Sequence, residues 1–176
     1  MEMMNKYWQF AAMIVTAMVV MFGLMYLNTY AWEHVFWSET RFYMTFIMGA
    51  SMAVIMLGFM LGMYKNSQIN LGIVIGATVV FALALWLVRS QITVQDQSYM
   101  SAMIPHHSIA IMTSERAGID DVRVRELADE IIKAQRREIK EMEWLISDIA
   151  KNGLAETESE ANARPVPIFE GELDPE

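Results

Sequence analysis

Cysteine is absent from this chain of 176 residues. That excludes disulfides, thiolate metal sites and thiol nucleophiles. It is compatible with an oxidising compartment. Charge is missing over long stretches: no charged residue lies between Lys6 and Glu33, between Arg41 and Lys65, or between Lys65 and Arg89. Basic clusters are also lacking. Residues 90–151 carry eight basic against eleven acidic groups, and residues 152–176 carry Arg164 alone against seven acids. With a formal net charge of −8 there is no basic patch for nucleic acid, and none is expected as a partner. Histidine is rare, at three residues, and no Glu-x-x-His pair occurs, so the di-iron carboxylate pattern is missing. Ser108 and His107 are adjacent, face different directions on a helix and have no evident third partner, which argues against a hydrolase triad. No second cofactor signature supports an oxidoreductase. The chain reads as a non-enzyme.

What is present divides the chain near Arg89. The composition is 55% hydrophobic, concentrated in the first half. Three uncharged runs, residues 7–27, 42–64 and 71–88, approach the roughly 20 residues a membrane-spanning helix needs. The first run is longer than a signal-peptide core and no A-x-A-like site follows it, so it reads as a span rather than a cleaved leader. Tyr7, Trp8, Tyr26, Tyr30, Phe42, Tyr43, Tyr64 and Trp86 lie near the ends of the runs, as interfacial aromatics do. Gly58 with Gly62, and Gly72 with Gly76, have the spacing of close helix contacts in lipid. Lys6 and Lys65 share one side and Arg41 and Arg89 the other, so charge leaves the orientation undetermined.

Methionine is abundant at 17 residues, thirteen of them in residues 1–63. Met44, Met48, Met52, Met56 and Met60 recur every fourth residue, and Met18, Met21 and Met25 make a similar row. Such rows are either soft ligands for Cu(I) or gap-filling between packed helices. The second reading is preferred, because no histidine or charge interrupts them to anchor an ion.

Beyond Arg89 two amphipathic helices are predicted, from Asp96 to about Arg116 and from Asp120 or Asp121 to about Lys151. Asp96 and Asp121 are candidate N-caps, and Gly118 and Gly153 candidate terminators. At about 100° per residue, Met100, Met103, Ile104, His107, Ile111 and Ser114 share a face of the first, with His106 at its flank. Leu127, Ile131, Gln135, Glu138, Met142, Leu145 and Ile149 share a face of the second. A short turn makes the helices antiparallel and brings Met, His and Glu to one seam. Two helices alone bury little, so pairing with a second copy into a four-helix bundle, as a homodimer or higher, is the expected arrangement. Residues 152–176 are acidic, lack apolar periodicity and are expected to be a disordered tail.

The stretch MSAMIPHHSIAIM (Met100–Met112) raises the chemical question. Pro105 leaves the Ser101 carbonyl without its helical donor beside two histidines. Imidazole and thioether together suit copper, Cu(I) above all. Met100, Met103, His106, His107 and Met142 are the candidate ligands, with Glu138 and Gln135 behind them to hold an imidazole N–H. The alternative from the same residues is structural: a buried His107 hydrogen-bonded to Glu138 or Gln135, a solvated His106, and a helix bundle without metal.

The segments FYMTFIMGASMAVIMLGFMLGMYKN, RSQITVQDQSYMSAMIPHHSIAIM and ELADEIIKAQRREIKEMEWL together resemble the family called domain of unknown function 305, in its three-span membrane form, over about residues 5–149. Most specific are M-x-x-M-I-P-H-H-S and the later Q-x-x-E-I-x-x-M. The resemblance implies a ferritin-like helical hairpin and, because some soluble members bind copper in the periplasm, a hairpin on the outer face of the inner membrane with Met100, Met103, His106, His107 and Met142 as ligands. The resulting expectation is an all-α, multi-pass inner-membrane protein. Its membrane domain is residues 1–89, and its periplasmic hairpin, residues 90–151, binds Cu(I) for tolerance, storage or delivery. Its partners would be membrane lipid, a second copy and a copper donor or acceptor protein.

Overall fold

The computed structural model describes residues 2–173. Among these the chain is helical and contains no strand: α1 (Glu2–Leu24), a 3-10 turn (Trp32–His34), α2 (Glu39–Phe59), α3 (Ser67–Ser90), α4 (Asp96–Arg116), α5 (Val122–Asn152) and α6 (Glu158–Ala163). They form two compact units. One comprises residues 1–27 with 38–94, the other residues 28–37 with 95–176.

In the first unit α2 lies between α1 and α3 and packs on both. Three stretches are long and apolar enough to cross a membrane: Asn5–Leu24, Glu39–Phe59 and Ser67–Ser90. Their limits differ by a few residues from the uncharged runs, because capping and not hydropathy sets where a helix starts. The Ser38 hydroxyl accepts from Arg41 N, which starts α2 before Arg41. The Asn66 side chain accepts from Gln68 N and Ile69 N and starts α3 at Ser67. At one end Tyr7 ties α1 to the α2–α3 turn. Its hydroxyl donates to Asn70 Oδ1 at 2.8 Å and accepts from Asn66 N at 3.2 Å, and its ring lies 5.1 Å from that of Tyr64. At the other end the Arg41 guanidinium sits 4.4 Å over the Tyr26 ring.

The close helix approach is not at the paired glycines. A Cβ on Gly58, Gly62, Gly72 or Gly76 would meet nothing, whereas one on Gly49 would run into Met18 Sδ. Glycine there lets α1 and α2 come together with a methionine filling the gap. Met52, Met56 and Met60 pack into the same apolar cluster.

The second unit is the α4–α5 hairpin with residues 28–37 laid on it. Met100, Ile104, Ile111, Ile132, Ile139 and Met142 form its core, with Tyr30, Phe36, Met103, Leu145, Ile146 and Ile149 packed around them, Leu145 as anticipated. On α5 the inward stripe is Ala128, Ile132, Gln135, Ile139, Met142, Ile146 and Ile149, a heptad alternation of four and three residues. This corrects the face anticipated above near the turn. Leu127 is 60% exposed, while Ala128 and Ile132 are buried. A steady heptad keeps the seam facing its neighbour.

The caps also differ in part. Asp121 caps α5 as anticipated, accepting from Arg123 N at 2.9 Å, and Gly153 ends it with φ 79°. The cap residue of α4 is Gln95 rather than Asp96, without a side-chain bond, and Asp96 stands in the first turn. Gly118 is not a left-handed terminator, since α4 ends at Ala117 in extended backbone. Arg125 instead donates to the Ser114 carbonyl at 2.9 Å and so satisfies an open helix end.

After Gly153, in the stretch expected to be disordered, Thr157 and Glu160 form a capping box that starts α6. Arg164 pairs with Asp148 at 2.6 Å. Further on, Arg136 and Lys140 donate to the carbonyls of Glu172 and Glu170. Cationic side chains of α5 thus hold the backbone of a tail that has no apolar stripe. Residues 174–176 lie outside those described.

Candidate metal centre

The α4–α5 seam carries the candidate site. Met100 and Met142 are buried in its core and Met103 packs half-buried against them. His107, one turn after Met103, is buried as well. Its ring is held at both nitrogens. Nδ1 lies 2.9 Å from the Met103 carbonyl oxygen and Nε2 lies 2.7 Å from Glu138 Oε2. Both partners are acceptors. A doubly protonated ring satisfies both, while a neutral ring satisfies one and leaves a lone pair at the other. The His107 side chain is 10% exposed and that of Glu138 39%, so the pair bridges core and solvent.

Of the five candidate ligands, Met100, Met103 and Met142 meet in one core, and His107 is buried on the same helix with a bond to the Met103 carbonyl. His106 stands apart. It is exposed, with its ring centre 6.0 Å from that of His107 and steeply inclined to it. One helical position turns a side chain by about 100°, which separates adjacent histidines. Glu138 holds His107 as anticipated; Gln135 is half-buried on the same stripe and takes no part in that bond. α4 runs unbroken through Pro105, which is fully buried. Among the described residues no three His, Asp or Glu side chains gather as a metal site, so any ligand set here depends on thioethers.

Sequence reasoning missed the other side of α4. Ser108 is fully buried because residues 28–37 cover it. Its hydroxyl accepts from Tyr30 N at 2.7 Å and lies 2.9 Å from His34 Nδ1. Arg136, paired with Glu115 at 2.6 Å, reaches the Tyr30 hydroxyl at 3.4 Å. The available signal was the aromatic loop itself, Tyr30-Ala-Trp-Glu-His-Val-Phe-Trp37, which carries the chain's third histidine.

A family model described as a domain of unknown function, DUF305, matches residues 87–166. An uncharacterized protein of Acanthamoeba polyphaga mimivirus, L153, is 32% identical over 105 residues, covering 55% of this chain and 68% of that protein. The chain belongs to the DUF305 family. The family match takes in α4, α5 and α6, and it leaves out α1, α2 and the loop that carries Tyr30 and His34. The three apolar helices of this DUF305 protein are consistent with the family's three-span form. No solved structure matches it.

Proposed function

We propose that the hairpin is a Cu(I)-binding module, anchored in the inner membrane and facing the periplasm, for copper tolerance, storage or delivery. The observation that carries this reading is the packing of Met100, Met103 and Met142 in one core, with the buried His107 on the same helix as two of them. Soft, neutral donors in an apolar setting suit Cu(I) over Zn(II). The fit asks one thing of His107: a ring nitrogen must exchange its oxygen partner for metal. With Nε2–H retained by Glu138, Nδ1 is the nitrogen left, on the side of Met103. Glu138 then orients the ring, as carboxylates behind ligating histidines do. Exposed His106 would act as a flanking ligand, and in a paired hairpin as a ligand to the second copy. A copper donor or acceptor protein would exchange the ion there.

The test is competition for Cu(I) between the detergent-purified full chain and a chromophoric chelator. One tightly held Cu(I) per seam is expected. His106→Ala with His107→Ala abolishes it, Met103→Leu weakens it at nearly constant volume, and Glu138→Ala costs about 10–100-fold in affinity. If the double-alanine protein holds Cu(I) as tightly as the parent, the site is wrong.

One observation favours a second reading, a structural bundle without metal. Both nitrogens of His107 already have oxygen partners. In that case Glu138→Ala lowers stability and no variant changes metal uptake.

A further inference from the structure

A groove of about 470 Å³ runs along the first unit between α1 and α3, floored by α2. Trp8, Ala11 and Ile14 form one wall, Ala53 the floor, and Ile69 and Ile73 the other wall. Every side chain lining it is apolar or aromatic. Its end is closed by the Tyr7 hydroxyl bonded to Asn70 and Asn66. Lys6 precedes Tyr7 and Lys65 follows Tyr64, and those two tyrosine rings touch, so the backbones of both lysines lie at the closed end. Neither lysine enters an ion pair among the described residues. Trp8, 72% exposed, lines the groove one residue after Tyr7. Acidic side chains are nearly absent from this unit: Glu2 is the single acid in residues 1–32, and residues 40–95 have none.

An apolar channel headed by two cations and an interfacial tryptophan is complementary to one amphiphile. We propose that this groove is a binding site for an anionic glycerophospholipid, with one acyl chain between α1 and α3 and its phosphate at Lys6 and Lys65. The proposal rests on the three apolar helices being membrane spans. At the opposite end of these helices the cations are Arg41 and Arg89, and the Arg41 guanidinium is already placed over the Tyr26 ring. Charge at the membrane surface attracts lysine, and the walls fix the chain.

The experiment is native mass spectrometry of the full chain, released from neutral detergent and titrated with phosphatidylglycerol or phosphatidylcholine of identical chains. The protein should retain phosphatidylglycerol with about tenfold or greater preference. Lys6→Gln with Lys65→Gln should remove the preference while leaving helicity and thermal midpoint unchanged. Ala11→Phe, which projects into the groove, should reduce retention of both lipids. Equal retention of the two lipids by the parent overturns the site, as does an unchanged preference in the double-glutamine protein. A covalent dimer formed through Ala11→Cys in membranes also overturns it, since a second copy would then fill the groove. Release of the protein from membranes by alkaline carbonate alone overturns the spans, and this site with them. A membrane-retained protein without lipid preference overturns the site only.

Discussion

Single side chains decide more here than the abundance of apolar residues suggests. Ser108 is small and polar, yet it is the acceptor for Tyr30 N and lies against His34. Ser108→Ala removes the acceptor of this part-buried N–H and empties a fully buried hydroxyl position, so the second unit should lose about 1 kcal/mol, read as a lower thermal midpoint of the full chain. Ser108→Thr, which restores the hydroxyl, should recover part of it; equal midpoints for parent and alanine protein would refute the bond's role. Gly49 is the counterpart in the first unit. Gly49→Val meets the Met18 side chain and should loosen α1 from α2, whereas the same change at Gly58 meets open space. Proteolysis in detergent should distinguish the two. Asp121 carries a pH signature. The Arg123 side chain, and then its backbone N–H, hold the Asp121 carboxyl below its ordinary value. A depressed carboxylate contributes stability above its unfolded value, near about 3.9, and loses it as pH falls through the folded value. The difference in thermal midpoint between the parent and Asp121→Ala should therefore be constant near neutrality and shrink only in that acid range.

At the level of elements, α5 is the most informative. Its heptad stripe sets Ile132 in the core and Leu127 out of it. Ile132→Ala should cost about 2–5 kcal/mol, while Leu127→Ala should leave the isolated hairpin almost unchanged. If the hairpins pair into four helices, exposed Val124 and Leu127 are candidates for the contact. Leu127→Glu should then convert dimers to monomers in sedimentation without loss of helicity; a protein that is monomeric to begin with removes the pairing. Much of this was legible in the sequence. Long uncharged runs and apolar periodicity indicate three apolar helices and a hairpin, because burial and hydropathy act locally along the chain. The packing of Met100, Met103 and Met142, and the His107–Glu138 contact, could be anticipated for the same reason. The α5 face was misjudged near the turn because a wheel weights Leu127 by its apolarity, while the buried heptad runs through Ala128 and Ile132. Ser108, Tyr30 and His34 were not grouped, since their contact spans 74 residues or more and no local pattern encodes it. The tail after Gly153 was missed because its hold comes from backbone carbonyls, which composition does not register.

Over the whole molecule, one contact bears on topology. Residues 28–37 and the hairpin share a unit, and α2 and α3 lie between them in sequence. Two crossings return a chain to the side it left, so the Tyr30–Ser108 bond agrees with α2 and α3 both spanning the membrane. The proposed orientation puts Lys65 in the cytoplasm and the hairpin in the periplasm. A reporter that fluoresces only in the cytoplasm should be dark when fused after Glu176 and bright when inserted at Lys65; the reverse pattern would invert the assignment.

The same bond also orders events during biosynthesis. The Tyr30 loop emerges from the ribosome well before Ser108 and must wait for two intervening helices to be made and placed. The second unit is thus assembled from pieces delivered at different times, and its seam closes only after α5 arrives. A fragment beginning at Gln95 lacks the earlier piece and bares the Ser108 face of α4. Such a fragment should refold to a less protected hairpin than the full chain, visible as faster amide exchange around Ile104 to Ile111, the helical stretch that the waiting loop was made to cover.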